Sequence, residues 1–186
     1  VWSTLNLLEP HWTERGGGAV PFYTFGAACY LDHPEKKRSG YRQIEANINP
    51  LLKAHFSFLL EKIRSAFEAA TGKKASYEHL HALPGFHIFL YHPLFKKPQA
   101  HLHFDLQQLQ LKWPFKEIDR AHPLSFTLPI KLPQCGSGLN YWDISWFENR
   151  NNDYDEIEAL AMATPMLYHP YKEGTLVLHS GLSLHQ

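Results

Sequence analysis

The sequence predicts a mainly β protein with flanking helices, an α+β fold of barrel or jelly-roll type. The sequence pattern is a long amphipathic helix followed, from about residue 84, by several short apolar segments, which are separated by residues typical of turns. A chain of 186 residues can bury one hydrophobic core. We therefore expect a single domain over 1–186, with helical and strand support over about 1–83 and a β core over about 84–186.

The clearest predicted element is a helix that begins at Asn49-Pro50 and ends before Gly72. Asparagine is a good N-cap, and proline suits the first helical position because its missing N–H would have no partner there. Glycine after the last turn is typical of a left-handed C-terminal cap. Apolar residues recur at spacings of three and four, which predicts one face packed against a sheet: Leu52, Phe56, Leu59, Ile63, Phe67 and Ala70.

Apolar and aromatic runs bounded by turn residues predict the strands. The first run precedes the helix, and a charged loop over 32–40 follows it. A short helix is expected over about 155–162. The predicted strands are 22–31, 86–92, 100–106, 124–132, 139–147 and 175–185.

Composition excludes several classes of function. The 18 lysine and arginine residues are balanced by 18 acidic residues, so the basic excess of nucleic-acid-binding proteins is missing. The sequence contains no apolar run of about 20 residues and no signal-peptide pattern. Two cysteines, Cys29 and Cys135, do not make a disulfide framework. We expect a cytoplasmic protein without nucleic-acid or membrane partners.

The segment around His103 and Asp105 carries the strongest chemical signal. On a strand, residues two apart point to the same face, so both side chains can reach one metal ion. A second, distant histidine would complete the two-histidine, one-carboxylate face that binds non-haem Fe(II) with other positions open. His185 is the candidate, with His179 as the alternative, and His101 competes with Asp105 as the partner of His103.

Other catalytic arrangements fit the sequence less well. It contains no cysteine cluster, no His-Glu-x-x-His, no Gly-x-Ser-x-Gly elbow and no phosphate-binding glycine loop. A cupin-type site built on His101 and His103 would also need a glutamate a few residues later. Those positions hold Leu106, Gln107 and Gln108.

Several of these motifs together resemble the 2-oxoglutarate/Fe(II)-dependent oxygenases. They are His103-Phe-Asp105, the 124–132 segment, the Gly-Ser-Gly turn after it, and the Gly174-initiated strand that ends at His185. The resemblance covers about 84–186 and implies a double-stranded β-helix, with Fe(II) held by His103, Asp105 and His185. It further implies hydroxylation of an amino acid or other small molecule, with release of succinate and CO2.

The chain departs from the family pattern where 2-oxoglutarate would be bound. The family normally places an arginine or lysine after the distal histidine to pair with the far carboxylate of the cosubstrate. This sequence begins without methionine and stops at Gln186, so we expect a C-terminally truncated fragment. Within the chain, Lys131 is the best basic candidate, and Tyr91 and Thr127 are candidate hydroxyl donors to the cosubstrate.

Aromatic residues after the Gly-Ser-Gly turn, namely Tyr141, Trp142 and Trp146, are candidates to line the substrate entrance. Two other functions remain open at this point. One is a cupin-type metal enzyme that uses His101 and no 2-oxoglutarate. The other is a non-catalytic barrel that serves as a binding module.

Overall fold

The computed structural model describes residues 1–32, 40–97, 99–109 and 111–186. It divides into two compact units, Val1–Lys97 and Pro98–Gln186. Each unit combines helices with antiparallel strands, which confirms the α+β class, and the described residues form three open sheets without a closed barrel. None of the described helices has the length and hydrophobicity to cross a lipid bilayer. The single domain expected from the sequence stays a prediction.

The first unit packs one long helix on a small sheet. Its helices are α1 (Trp2–Leu7), α2 (Cys29–Asp32) and α3 (Tyr41–Thr71), and its strands are β1 (Thr13–Glu14), β2 (Phe22–Phe25) and β3 (Phe86–Phe89). Short 3-10 helices lie at Glu9–His11 and Pro93–Lys96. The strands pair in the order β1-β2-β3, all antiparallel. Leu52 and Phe56 of α3 share a buried apolar cluster with Phe25 and Ile88 from the sheet.

The predicted start of the long helix is wrong. Helix α3 begins at Tyr41, and Pro50 lies inside it. Asn49 does not cap the helix, because its side-chain amide donates to the His81 carbonyl (3.2 Å) and accepts the Leu83 N–H (3.0 Å). The predicted end is correct, since Gly72 caps the helix in the left-handed conformation at φ 68°.

The predicted strand over 22–31 is too long. Strand β2 ends at Phe25, because Gly26 turns the chain at φ 128° and α2 follows. Asp32 is not part of an exposed loop, since it is buried in a bidentate pair with Arg15. The remainder of the predicted charged loop, residues 33–39, lies outside the described residues.

The second unit contains the remaining sheets and two helices. The helices are α4 (Trp146–Asn149) and α5 (Tyr154–Ala163), and the strands are β4 (Leu124–Thr127), β5 (Gly138–Ser145), β6 (Leu167–Pro170), β7 (Val177–Ser180) and β8 (Ser183–His185). A 3-10 helix covers Gln107–Leu109. Strands β4 and β7 form one antiparallel sheet, and β6-β5-β8 form the other. The predicted short helix is confirmed as α5, which opens with a capping box between Asp153 and Glu156.

Two predicted strands of the second unit are wrong in a way that matters for the site. The single strand expected over 175–185 is split, because the chain turns at Gly181 and continues as β8 in a different sheet. The 100–106 segment is not a regular strand, and its only bridge joins His103 to His185. Strand β8 is only three residues long and already pairs with β5 along its other edge, so it offers little ladder to the 100–106 segment.

Three further predicted strands are shorter in the structure than the apolar runs suggested. The 124–132 segment is extended only through Thr127, and Pro129, which lacks an N–H to donate to a ladder, lies beyond its end. The 86–92 segment ends at Phe89, and it belongs to the sheet of the first unit. The strand expected over 139–147 is observed over Gly138–Ser145, and α4 begins at Trp146.

Candidate metal centre

Three residues of the second unit meet as a group that could hold a metal ion. His103, Asp105 and His185 each offer one ligand atom, and these atoms all lie within 4.8 Å of one another. Asp105 lies between the two rings, with Oδ1 3.8 Å from Nε2 of His103 and Oδ2 3.5 Å from Nε2 of His185. Within the part of the chain that the structure describes, no other group of this kind is found.

Backbone pairing explains how residues 82 positions apart in sequence come together. The N–H of His103 donates to the His185 carbonyl (3.0 Å), and the N–H of His185 donates to the His103 carbonyl (3.1 Å). In an antiparallel bridge, directly opposed side chains stand on the same face, and the two ring centroids are 4.3 Å apart. Alternation along the chain then directs Leu102, Phe104 and Leu184 into the apolar core on the other face.

The orientation of both imidazoles is set by hydrogen bonds at Nδ1. Nδ1 of His103 lies 2.8 Å from the His101 carbonyl, and Nδ1 of His185 lies 2.8 Å from the Ser183 carbonyl. A carbonyl can only accept, so the proton of each neutral ring is on Nδ1. In the neutral form of each ring, the lone pair is therefore on Nε2, on the side of Asp105, as in metal-binding histidines whose other nitrogen is held by a carbonyl.

Asp105 is ionised in this environment. Burial alone would raise the pKa of its carboxyl, but the interaction with His185 and hydrogen bonds from Ser125 and Gln107 outweigh burial and hold the pKa well below its usual range. The Gln107 amide donates to Oδ1 at 2.9 Å. Burial lowers the pKa of His185, but Asp105 and the Ser183 carbonyl more than offset it, so this pKa is raised.

The distances suit a bound cation better than a closed ion pair. Separations of 3.5 and 3.8 Å are too long for good hydrogen bonds between imidazole and carboxylate. Ligand atoms at about 2.1 Å from one ion lie roughly 3.0–3.4 Å apart, so small side-chain rotations would close the group around a metal. The His103 side chain is 43% exposed and that of His185 only 6%, so an ion would be open to solvent on the His103 side.

A polar face of the β4–β7 sheet adjoins the three candidate ligands. Ser125 pairs with His179 across the sheet, and Thr127 lies on the same face two residues later. Ser125 hydrogen-bonds Asp105, and the ring of His179 lies 4.7 Å from that of His185 in an edge-on contact. Burial and the nearby His185 lower the pKa of His179, so its ring is neutral.

Tyr171 adds a phenol to this face. Its side chain hydrogen-bonds Thr127 and is close enough to Asp105 for the carboxylate charge to raise its pKa, in addition to the larger effect of burial. Thr127, the predicted hydroxyl donor, therefore lies with Tyr171 beside the candidate ligands. Their role in binding a cosubstrate stays a prediction.

The aromatic residues predicted at the substrate entrance lie in three different environments. Tyr141 is half-buried and pairs with His185 across β5 and β8, so its side chain stands on the ligand face. Trp142 points to the opposite face and is buried in the core with Leu184. Trp146 is half-buried at the start of α4.

The other predicted residues are not part of the ligand group. Lys131 is exposed in a bend after β4. Tyr91 belongs to the first unit and is 86% exposed. The ring of His101, the competing ligand, packs edge-on against that of Tyr154, with ring centroids 6.2 Å apart. The backbone carbonyl of His101, and not its ring, helps to orient His103.

Sequence reasoning missed four residues that contact or adjoin Asp105. Gln107 and Ser125 hydrogen-bond the Asp105 carboxylate, and the Gly181 carbonyl accepts the Asp105 N–H at 2.7 Å. The charge of Asp105 raises the pKa of Tyr171. Gln107 lies two residues after Asp105, so the i, i+2 rule could have found it. Ser125, Tyr171 and Gly181 are distant in sequence and carry no local signal.

Comparison of the chain with family models, with curated proteins and with solved structures gives no match in any of the three.

Proposed function

We propose that this chain is a non-haem Fe(II)- and 2-oxoglutarate-dependent oxygenase that hydroxylates an amino acid or other small molecule. The observation that carries the proposal is the meeting of two imidazole Nε2 atoms and one carboxylate at His103, His185 and Asp105. Two histidines and one carboxylate on one side of an ion are the ligand set of non-haem Fe(II) oxygenases.

The state of the three side chains fits Fe(II). The Nδ1 contacts with backbone carbonyls leave Nε2 as the ligand atom of each neutral imidazole, and the carboxylate of Asp105 is ionised, as a metal site requires. When bound, Fe(II) with 2-oxoglutarate and O2 supplies the oxidising chemistry, which ends in succinate, CO2 and a hydroxylated product. The protein's part is to hold the ligands on one face and leave the other positions accessible.

The surroundings suggest how the chain would orient its cosubstrate and substrate. The hydroxyls of Thr127 and Tyr171 lie on the ligand side and can donate to a carboxylate of 2-oxoglutarate. Lys131, which comes after the strand that carries Thr127, is the candidate basic residue for pairing with that carboxylate. Tyr141, opposite His185, is the best-placed of the three aromatic candidates for substrate contact. Because the basic and acidic residues balance, we expect that the substrate is not a nucleic acid.

The proposed architecture is a double-stranded β-helix of the jelly-roll type. The second unit contains two separate antiparallel sheets, β4–β7 and β6-β5-β8, and a jelly roll is also built from two sheets, with eight strands where the described residues of this unit form five. The candidate ligands come from one edge strand and from the segment that bridges it, and Ser125 of the other sheet bonds Asp105.

The cupin-type alternative is less well supported because it needs His101 as a ligand. In the structure the ring of His101 contacts Tyr154, and only its carbonyl contacts His103. Asp105, which the cupin set does not use, lies between the two imidazoles instead.

An anaerobic titration tests the proposal. Metal-free protein receives Fe(II) and then 2-oxoglutarate, and visible absorption is followed for the charge-transfer band of a chelated 2-oxo acid. We expect the band with 2-oxoglutarate, no band with succinate, which lacks the 2-oxo group, and no band in Asp105→Ala. Tight Fe(II) binding without a band would exclude 2-oxoglutarate as cosubstrate, and a chain that binds no Fe(II) would exclude the metal centre.

A further inference from the structure

The turn between β7 and β8 passes unusually close to Asp105. Gly181, at that turn, is buried and accepts the Asp105 N–H at 2.7 Å, while its own N–H donates to the Pro123 carbonyl at 3.3 Å. The turn therefore connects β7 to β8, which ends at His185, and its backbone also bonds the segment of Asp105 and the residue before β4.

A side chain at this position would have no room. A Cβ added to Gly181 would lie 2.9 Å from Cβ of Asp105, 2.9 Å from Oγ of Ser125 and 3.2 Å from the Asp105 carbonyl oxygen. The backbone of Gly181 is not in the left-handed region, in contrast to glycines such as Gly136 and Gly174, so its requirement is for space and not for conformation. Only the bare backbone of glycine permits this approach.

The two atoms that a methyl group would strike are both involved in placing the carboxylate. Cβ of Asp105 carries the carboxylate directly, and the Ser125 hydroxyl hydrogen-bonds it. Ordinary contact begins at 3.4 Å, so each must move by about 0.5 Å from 2.9 Å. Metal–ligand distances vary by only about 0.2 Å, so a displacement of this size is expected to weaken the bond between the carboxylate and an ion.

We propose that Gly181 and Ser125 are positioning residues that hold the Asp105 carboxylate where a metal ion can share it with His103 and His185. Gly181 acts by admitting the segment that carries Asp105, and Ser125 acts by orienting its oxygens. The inference rests on the proposed metal centre and adds to it a requirement for glycine at the β7–β8 turn.

The test measures Co(II) binding to the full chain, because Co(II) reports its ligands through visible absorption. We expect Gly181→Ala to lower Co(II) affinity by about 10- to 100-fold, the usual effect of losing an outer contact to a ligand, and to change the absorption spectrum. Ser125→Ala, which removes the hydroxyl without adding volume, is expected to lower the affinity by about tenfold. Gly40→Ala is the matched control, since its Cβ would lie 3.6 Å from Cδ1 of Ile44, an ordinary contact.

The outcomes separate this inference from the proposed function. If the wild type binds Co(II) and folded Gly181→Ala binds it equally well with the same spectrum, the positioning role is wrong and the metal centre stands. If Gly181→Ala does not fold, Ser125→Ala decides, and unchanged affinity there overturns the proposal. A wild type that binds no Co(II) overturns the metal centre and, with it, this inference.

Discussion

The carboxylates of Asp32 in the first unit and Asp105 in the second have opposite kinds of surroundings. In the first, Asp32 receives both terminal nitrogens of Arg15 at 2.7 and 2.9 Å and the Ala28 N–H at 2.8 Å, while Arg15 Nε donates to Thr24. In the second, the imidazole nitrogens facing Asp105 are 3.5 and 3.8 Å away. The first carboxylate is paired with a cation of the protein itself, whereas the second accepts hydrogen bonds from the neutral side chains of Gln107 and Ser125 and has two imidazole nitrogens at longer range.

This difference separates a structural ion pair from a candidate site. A closed pair satisfies its charges internally and leaves no place for a ligand. Around Asp105 the two imidazole nitrogens lie farther away than good hydrogen bonds allow, and the neutral form of each ring can offer the lone pair of Nε2 to an ion. The predictions below test the contrast, since changes at Asp32 should affect stability and changes at Asp105 should affect metal binding.

The largest effect is expected from Asp105→Ala. We predict loss of measurable Fe(II) or Co(II) binding, because the variant lacks the only anionic ligand of the group while both histidines remain. Calorimetric titration of the full chain measures it. His101→Ala is the matched control and should bind the metal with unchanged affinity, so an equal loss in both variants would favour a His101 site.

Asp32→Ala should reduce the free energy of unfolding by about 3–5 kcal/mol, because it leaves the Arg15 charge buried without its partner. Urea unfolding measures this. Asp119→Ala is the control, since the His122–Asp119 pair is exposed to solvent and should contribute little to stability. Metal affinity should be the same in both variants, and a large drop in Asp32→Ala would show that the contrast between the two carboxylates is mistaken.

Burial of the Tyr41 hydroxyl should make the stability of the first unit fall at high pH. Burial raises its pKa from 10.0 to about 12, and its hydroxyl accepts the Ala82 N–H. Between these two pKa values the unfolded chain loses the phenol proton and the folded chain keeps it. The contribution of Tyr41 to the free energy of unfolding is therefore fully present below pH 10 and falls as the pH rises towards 12. The loss is about 2–3 kcal/mol at most.

Unfolding experiments at pH 9 and pH 11.5 would measure this loss, with Tyr41→Phe as the comparison. The phenylalanine variant should be less stable at pH 9 by about 1 kcal/mol, for the lost hydrogen bond, and its stability should decline less between the two pH values than that of the wild type. An equal decline in both proteins would assign it to other groups.

The smallest effect is expected from His179→Ala. Its ring contacts His185 edge-on but its nitrogens do not belong to the ligand group, so metal affinity should fall by less than about tenfold. His185→Ala, in the same titration, should lower the affinity far more, because it removes a ligand. If the two histidine variants exchange these results, His179 is the ligand and the distal assignment must be changed.

The sequence predicted the parts of the site that local periodicity determines. His103 and Asp105 are two residues apart, and that spacing gives a shared face even though 100–106 forms a bridge and not a regular strand. His185 was found from the end of an apolar run, but the expected single strand conceals a turn at Gly181 that moves β8 to another sheet. Pairing partners such as Ser125 depend on where strands meet, which local sequence does not encode.

The helix shows the same limit in the first unit. Gly72 was placed correctly because a left-handed C-cap is a local requirement. Asn49-Pro50 looked like a helix start, yet Asn49 bonds the backbone of His81 and Leu83, more than 30 residues away, and the helix runs through both residues. A long-range contact thus overrode a local signal.

The central claim is that one metal ion is held by Asp105 and by the imidazoles of His103 and His185. X-ray absorption at the iron edge of the Fe(II)-loaded full chain tests it most directly, because multiple scattering from imidazole rings counts the histidine ligands. The account predicts two imidazoles in the wild type and one in either His103→Ala or His185→Ala, where enough metal can be loaded. An imidazole count of zero in the wild type, or a count of two that persists in His185→Ala, would contradict it.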